Sequence, residues 1–176
     1  RAEGLAGFSV AHAVTHSVRD SAMLLDVTPG PIPGAIYSAP DTQGGFSQSL
    51  EGDLPQFKVG LCTSGFAGET IDTRCKKAAI DAGRLCESVG CVVEEVISPV
   101  DGAALREAFD VLFSANIANV VGSVLSRRLA QNSKTLFEPL TIACAEAGQR
   151  RTAVEYVGAI ERIQQAADVL GRFFLE

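Results

Sequence analysis

"FKVGLCTSGFAGETIDTRCKKAAIDAGRLCESVGCVVEEVI", residues 57–97, sets the architecture. Residues 57–62 are a short apolar-rich run of strand length, followed by a Gly-containing loop, 63–70. Between 71 and 89 the apolar positions Ile71, Cys75, Ala78, Ala79, Ala82, Leu85, Cys86 and Val89 recur at three- and four-residue spacing, the period of one helix face. Gly90 supplies the conformation at which helices stop. Residues 91–97 are a second strand-length apolar run. Strand, helix, strand in this order predicts a βαβ unit with parallel strands and a right-handed crossover.

Towards the N-terminus, residues 1–16 are Gly-rich and apolar and read as a strand or extended segment. Ser17 reads as an N-cap with Asp20 in the first turn, and Val18, Ala22 and Leu25 share one helical face. Pro29 ends that helix. Residues 28–56 hold five of the seven prolines and are expected to form a long Pro/Gly-rich surface loop. Towards the C-terminus, Asp101 is expected to cap a long helix to about Arg128, with Leu105, Phe109, Leu112, Phe113, Val120, Val121 and Val124 facing inward. Pro139 suits the first turn of the next helix, which Gly148 is expected to stop. Thr152 and Glu155 make a capping box for the last helix, whose inward set is Val157, Ile160, Ile163, Ala167, Leu170 and Phe174. The expectation is an α/β chain: one partial domain, 1–176, with a βαβ unit followed by a helical part, 101–174.

Hydrophobic residues make up 47% and charged residues 20% of the chain, with a formal net charge of −6. An acidic chain is a poor ligand for nucleic acid or anionic membranes, so neither is expected as a partner. No uninterrupted apolar run reaches membrane-spanning length; "SANIANVVGSVL" is broken by two asparagines. The low charged fraction is expected of a piece whose faces are normally covered, and which associates with itself or is unstable when they are not. The five cysteines, Cys62, Cys75, Cys86, Cys91 and Cys144, are odd in number and contain no Cys-x-x-Cys pair. Buried reduced thiols in a cytoplasmic protein are expected. The chain opens at Arg1 rather than Met, as expected of a processed or cut chain.

His12 and His16 have zinc-protease spacing, but Ala13 replaces the glutamate base and no third histidine exists, so no metal site is expected. Residues 57–71 have the strand–loop–helix context of a phosphate site, but Gly60, Gly65 and Gly68 match neither nucleotide fingerprint, and Glu69 repels phosphate. No cofactor is expected. Ser64 is the one serine in a strand-to-helix turn, yet no base accompanies it, and Lys58, Lys76, Lys77 and Lys134 lack a desolvated setting. No catalytic residue is assigned. On the long helix, Ser114, Asn116 and Asn119 are the candidate substrate-binding residues, because amides on an apolar helix must find hydrogen-bond partners and a substrate amide can be one.

"HAVTHSVRDSAMLLDVTPGP", residues 12–31, resembles the segment of amidase signature enzymes that follows their catalytic loop, with His16 in place of the usual Arg. "YSAP" (37–40), "LPQFKVGLCTS" (54–64), "AAIDAGRLCESVGCVVEEV" (78–96, Cys86 standing in for Leu-Glu) and "GRFF" (171–174) continue the resemblance in order over the whole chain. The flavour is closest to bacterial amidases that include oligomer and cyclic-amide hydrolases. The resemblance implies a portion of the amidase signature fold, a mixed central sheet covered by helices. It also implies hydrolysis of a small-molecule amide through a Ser–cis-Ser–Lys triad. The Gly/Ser-rich double-serine loop and the lysine before it do not occur in this chain, so the resemblance places the catalytic residues outside it. A homo-oligomer is compatible with both readings. The alternative is a non-catalytic βαβ binding module that takes a nucleotide or a partner protein through residues 63–70.

Overall fold

Most of the described helix starts are set by short oxygen-bearing side chains that satisfy otherwise orphaned N–H groups. The computed structural model describes residues 4–9, 11–28, 33–34, 44–52, 56–126 and 137–175. They divide into two compact units, Arg1–Gln56 and Phe57–Glu176.

In the first unit, Ser17 caps α1 (Val18–Val27), its Oγ accepting from the Asp20 N–H at 3.1 Å. Ala22 is the buried residue of this helix, while Val18 faces out. Asp26, near the helix end, accepts from the Phe46 N–H at 2.5 Å and the Ser47 N–H at 3.0 Å. That carboxylate holds the start of α2 (Gly45–Gln48), a single turn inside the predicted 28–56 loop. The rest of that loop, residues 29–32, 35–43 and 53–55, lies outside the described residues, as does Pro29. Of the strand or extended segment expected within 1–16, described residues 11–15 form neither helix nor strand, and Gly4–Gly7 form a 3-10 turn in which Leu5 and Ala6 take left-handed backbone.

The second unit opens with the predicted βαβ. β1 (Lys58–Leu61) and β2 (Val92–Glu95) pair in parallel, Lys58 opposite Val92 and Leu61 opposite Glu95. The crossover is α3 (Thr73–Ser88), capped by Asp72, which accepts from the Arg74 N–H at 2.8 Å. α3 rests on the sheet by a narrower stripe than its sequence implies. Ala79, Gly83 and Cys86 turn inward, whereas Cys75, Ala78, Ala82, Leu85 and Val89 are exposed. Two four-residue strands offer little surface, and Gly83 lets the helix approach so closely that an added Cβ there would meet Leu61 Cδ2 at 3.3 Å. The expectation of buried thiols fails for all five: Cys62 and Cys75 are exposed, and Cys86, Cys91 and Cys144 only half-buried.

Three helices follow. Asp101 caps α4 (Gly102–Ser126), its Oδ1 accepting from the Ala103 and Ala104 N–H groups at 3.0 and 3.1 Å. α5 spans Pro139–Gln149. α6 spans Ala153–Phe173 behind the predicted capping box: Thr152 Oγ1 accepts from the Glu155 N–H and Glu155 Oε2 from the Thr152 N–H. Both later helices pack on α4, burying Ala108, Leu112 and Val121 of α4 with Ala145 of α5 and Ala159 of α6. Phe113 and Val120, expected inside, are exposed, as are Val157 and Phe174. Phe113 instead stacks on Phe109, ring centroids 5.6 Å apart. α4 is also long and apolar enough, by length and composition, to cross a membrane, which corrects the sequence expectation. Its two asparagines do not offset the aliphatic residues around them, and α5 and α6 cover part of it.

Gly148 is not the stop of α5, which runs one residue further, to Gln149. It is buried, and a Cβ built on it would lie 1.9 Å from the Ser114 carbonyl oxygen. The α4–α5 crossing thus requires a residue without a side chain. In an open helical site, Gly→Ala stabilises by up to about 1 kcal/mol; here Gly148→Ala is expected to destabilise by about 1–3 kcal/mol by overpacking. The urea midpoint of the variant reads this directly, and an unchanged or raised midpoint would mean the helices do not meet so closely.

Candidate functional site

α4 carries the polar residues singled out in the sequence, but its geometry separates them. At 3.6 residues per turn, Asn116 and Asn119 lie on one side of the helix and Ser114 on the other. Ser114 is 6% exposed, at the crossing with α5, and its Oγ donates to the Val111 carbonyl at 3.2 Å. Asn116 is half-buried and donates through Nδ2 to the Leu112 carbonyl at 2.8 Å. That bond uses one of its donors and fixes the side chain against its own helix. Asn119 is exposed.

A cleft of about 200 Å³ lies elsewhere, between the first turns of α4 and the second half of α6. Val100, Ala104, Leu105, Ala166 and Val169 give it apolar walls, and Asp101, Arg162 and Gln165 add polar groups. None of Ser114, Asn116 and Asn119 lines it. The sequence carries no signal for this cleft, because Arg162 and Gln165 sit on the exposed phase of a helix and meet α4 only in the fold. Arg162 reaches Glu107 at 3.7 Å, a solvent-facing pair of small energetic consequence.

The loop 63–70 is held by its own acid. Glu69 Oε2 accepts from the Ala67 N–H at 2.6 Å and lies 3.5 Å from the Arg106 guanidinium. Its own backbone N–H, the Ala67 N–H and then the charge of Arg106 hold its carboxyl below the usual range. An N–H that an incoming phosphate would use is thus already bonded to a carboxylate. Ser64, the one candidate nucleophile, is exposed, with its Oγ 3.5 Å from the Cys62 sulfur. That hydroxyl holds the Cys62 thiol below its ordinary pKa. Lys58 and Lys77 pair with Glu94 and Asp81 at the surface, Lys76 is exposed, and Lys134 lies outside the described residues. His12 and His16 are exposed in the non-helical segment before α1. Among the described residues no group of three or more His, Cys, Asp or Glu side chains is placed to hold a metal.

No protein-family model matches the chain. A 6-aminohexanoate-cyclic-dimer hydrolase of Paenarthrobacter ureafaciens is 25% identical over 173 residues, 98% of this chain and 32% of the relative. The A subunit of a glutamyl-tRNA(Gln) amidotransferase from Thermus thermophilus is 32% identical over 119 residues, 65% of this chain and 24% of the relative. In three dimensions the chain is similar to the structure of 6-aminohexanoate cyclic dimer hydrolase complexed with substrate. That match has a TM-score of 0.76 and 22% identity, and it covers 89% of this chain and 33% of the other. The fold is therefore a partial α/β fold of that type, and the chain spans about a third of the length of the hydrolases it matches.

Glu69 generates a pH prediction. Its folded-state pKa is depressed, so the carboxylate supports the loop at pH values above its unfolded pKa and that support is lost as pH falls through the lowered folded value. Hydrogen exchange at the Ala67 amide is expected to accelerate across that acidic window, beyond the intrinsic pH dependence of exchange. In Glu69→Gln the amide should exchange fast throughout. Equal protection in both proteins at neutral pH would remove Glu69 from this role.

Proposed function

We propose that the chain is a non-catalytic stretch of an amidase signature hydrolase acting on carbon–nitrogen amide bonds, a reading supported by its similarity to the cyclic-dimer hydrolase and to the amidotransferase A subunits. The observation that carries the reading is extent. Similarity to the cyclic-dimer hydrolase runs through 98% of the chain, whereas similarity to the amidotransferases covers 48–65% of it. The substrate proposed is accordingly a small-molecule amide, cyclic amides included, with no nucleic-acid or membrane partner and a cytoplasmic setting. The whole chain, 1–176, is taken as part of one larger amidase domain, able to associate with a second copy.

Catalysis is assigned to a Ser–cis-Ser–Lys triad outside these residues. In support, no described lysine is desolvated and Ser64 lacks a base, so the chain has neither an activated nucleophile nor its activator among the described residues. Within the chain, the proposed substrate contacts are Ser114, Asn116 and Asn119. Asn119 is exposed and Asn116 half-buried, so these two can meet an amide directly. Ser114, buried against α5 with its Oγ on the Val111 carbonyl, is the least accessible of the three. Against the alternative of a nucleotide-binding module stands Glu69, whose carboxylate occupies the loop that such a ligand needs.

Two assays on 6-aminohexanoate cyclic dimer test the proposal. The isolated chain should show no turnover. In the full-length protein, Asn119→Ala should raise KM by about 3- to 10-fold with little change in kcat, as expected for a neutral hydrogen bond made equally in ground and transition states. Turnover by the chain alone would overturn the catalytic assignment, and an unaltered KM would remove Asn119 from the substrate site.

A further inference from the structure

The C-terminal end of α3 brings the backbones of two cysteines, Cys86 and Cys91, together. Gly90 takes left-handed backbone, φ +94, and donates its N–H to the Glu87 carbonyl at 3.0 Å. The Cys91 N–H reaches back five residues to the Cys86 carbonyl, also at 3.0 Å. This pair of bonds is the helix-ending motif in which the chain folds back over its last turn and the first and sixth residues face one another, commonly through an apolar contact. Here the two facing residues are Cys86 and Cys91. Covalent geometry around that N–H···O bond keeps their Cα atoms within about 6.9 Å, and the bend of the bond brings them closer. Disulfides join Cα atoms roughly 4.4–6.8 Å apart. Both thiols are free and half-buried, within reach of a small reagent.

We propose that Cys86 and Cys91 are an oxidisable dithiol whose disulfide staples the end of α3 to the start of β2. The oxidant is a low-molecular-weight disulfide. One cysteine thiolate attacks it, forming a mixed disulfide and expelling one small thiolate. The second cysteine thiolate then attacks the protein sulfur of that mixed disulfide and expels the other. The two protein thiols lose two electrons and two protons, and the small disulfide gains them as two thiols. The second step is favoured because the backbone bond holds the attacking sulfur at high effective concentration. Cys62, Cys75 and Cys144 lie on β1's exit, the outer face of α3, and α5, and no such bond places a second thiol beside them among the described residues.

The test is to incubate the chain with glutathione disulfide, alkylate the remaining thiols and map the peptides without reduction. The tryptic peptide 85–106 carries both cysteines. It should be lighter by two hydrogens than its reduced form, and cleavage after Glu87 should leave its halves joined until a reductant is added. In Cys86→Ser and Cys91→Ser the surviving cysteine should instead keep a glutathione adduct. The thermal midpoint of the parent should rise on oxidation, and that of either variant should not. Stable adducts on both cysteines of the parent, a link to Cys62, Cys75 or Cys144, or no reaction at either residue would overturn the pairing. A linked peptide with no rise in the midpoint would overturn the staple.

Discussion

The approach of α5 to α4 at Gly148 is the contact that shapes the helical part. A glycine is required where the next heavy atom is a backbone carbonyl, because a carbonyl oxygen fixed in a helix cannot move aside as a side chain can. Around that point the structure buries small residues, Ala108, Ala145 and Ala159, with Leu112 and Val121. Small residues let the three helices sit close but bury little area each. The consequence is a thin core and much apolar surface left open, from Phe113 and Val120 on α4 to Leu85 and Val89 on α3. A two-stranded parallel sheet points the same way, since parallel sheets are normally covered on both faces and, among the described residues, each strand here has one unpaired edge.

The same crossing orders the polar residues of α4. Burying Ser114 under α5 turns Asn116 and Asn119 to the opposite side, and Asn116 is then steadied by its bond to Leu112. Charge is managed locally elsewhere. Asp26, Asp72 and Asp101 each satisfy two N–H groups or an N–H and a guanidinium near a helix start. Glu69 closes the β1–α3 loop in the same manner. These four acids are committed to backbone geometry rather than to chemistry.

Much of this was legible in the sequence, where the signal is local. The βαβ order, the caps at Ser17 and Asp101, the capping box at Thr152 and Glu155, and the turn at Gly90 all rest on residues a few positions apart. What could not be read was which side of an apolar helix finds a partner. The apolar residues of α3 share one face, but the two short strands cover only the edge of it that carries Ala79, Gly83 and Cys86, so the spacing does not say that Gly83 rather than Leu85 faces the sheet. Gly148 reads as a helix stop because glycine usually is one, and only the position of α4 reveals it as a contact. The cleft beside Arg162 likewise arises from positions the chain brings together by folding.

If this chain is one stretch of an amidase, its nucleophile and base lie elsewhere in the same protein. The coding sequence on both sides of the codons for residues 1–176 tests that most directly. The expected finding is an upstream reading frame encoding a lysine and then a Gly/Ser-rich loop with two serines. A start codon immediately before the Arg1 codon would contradict it.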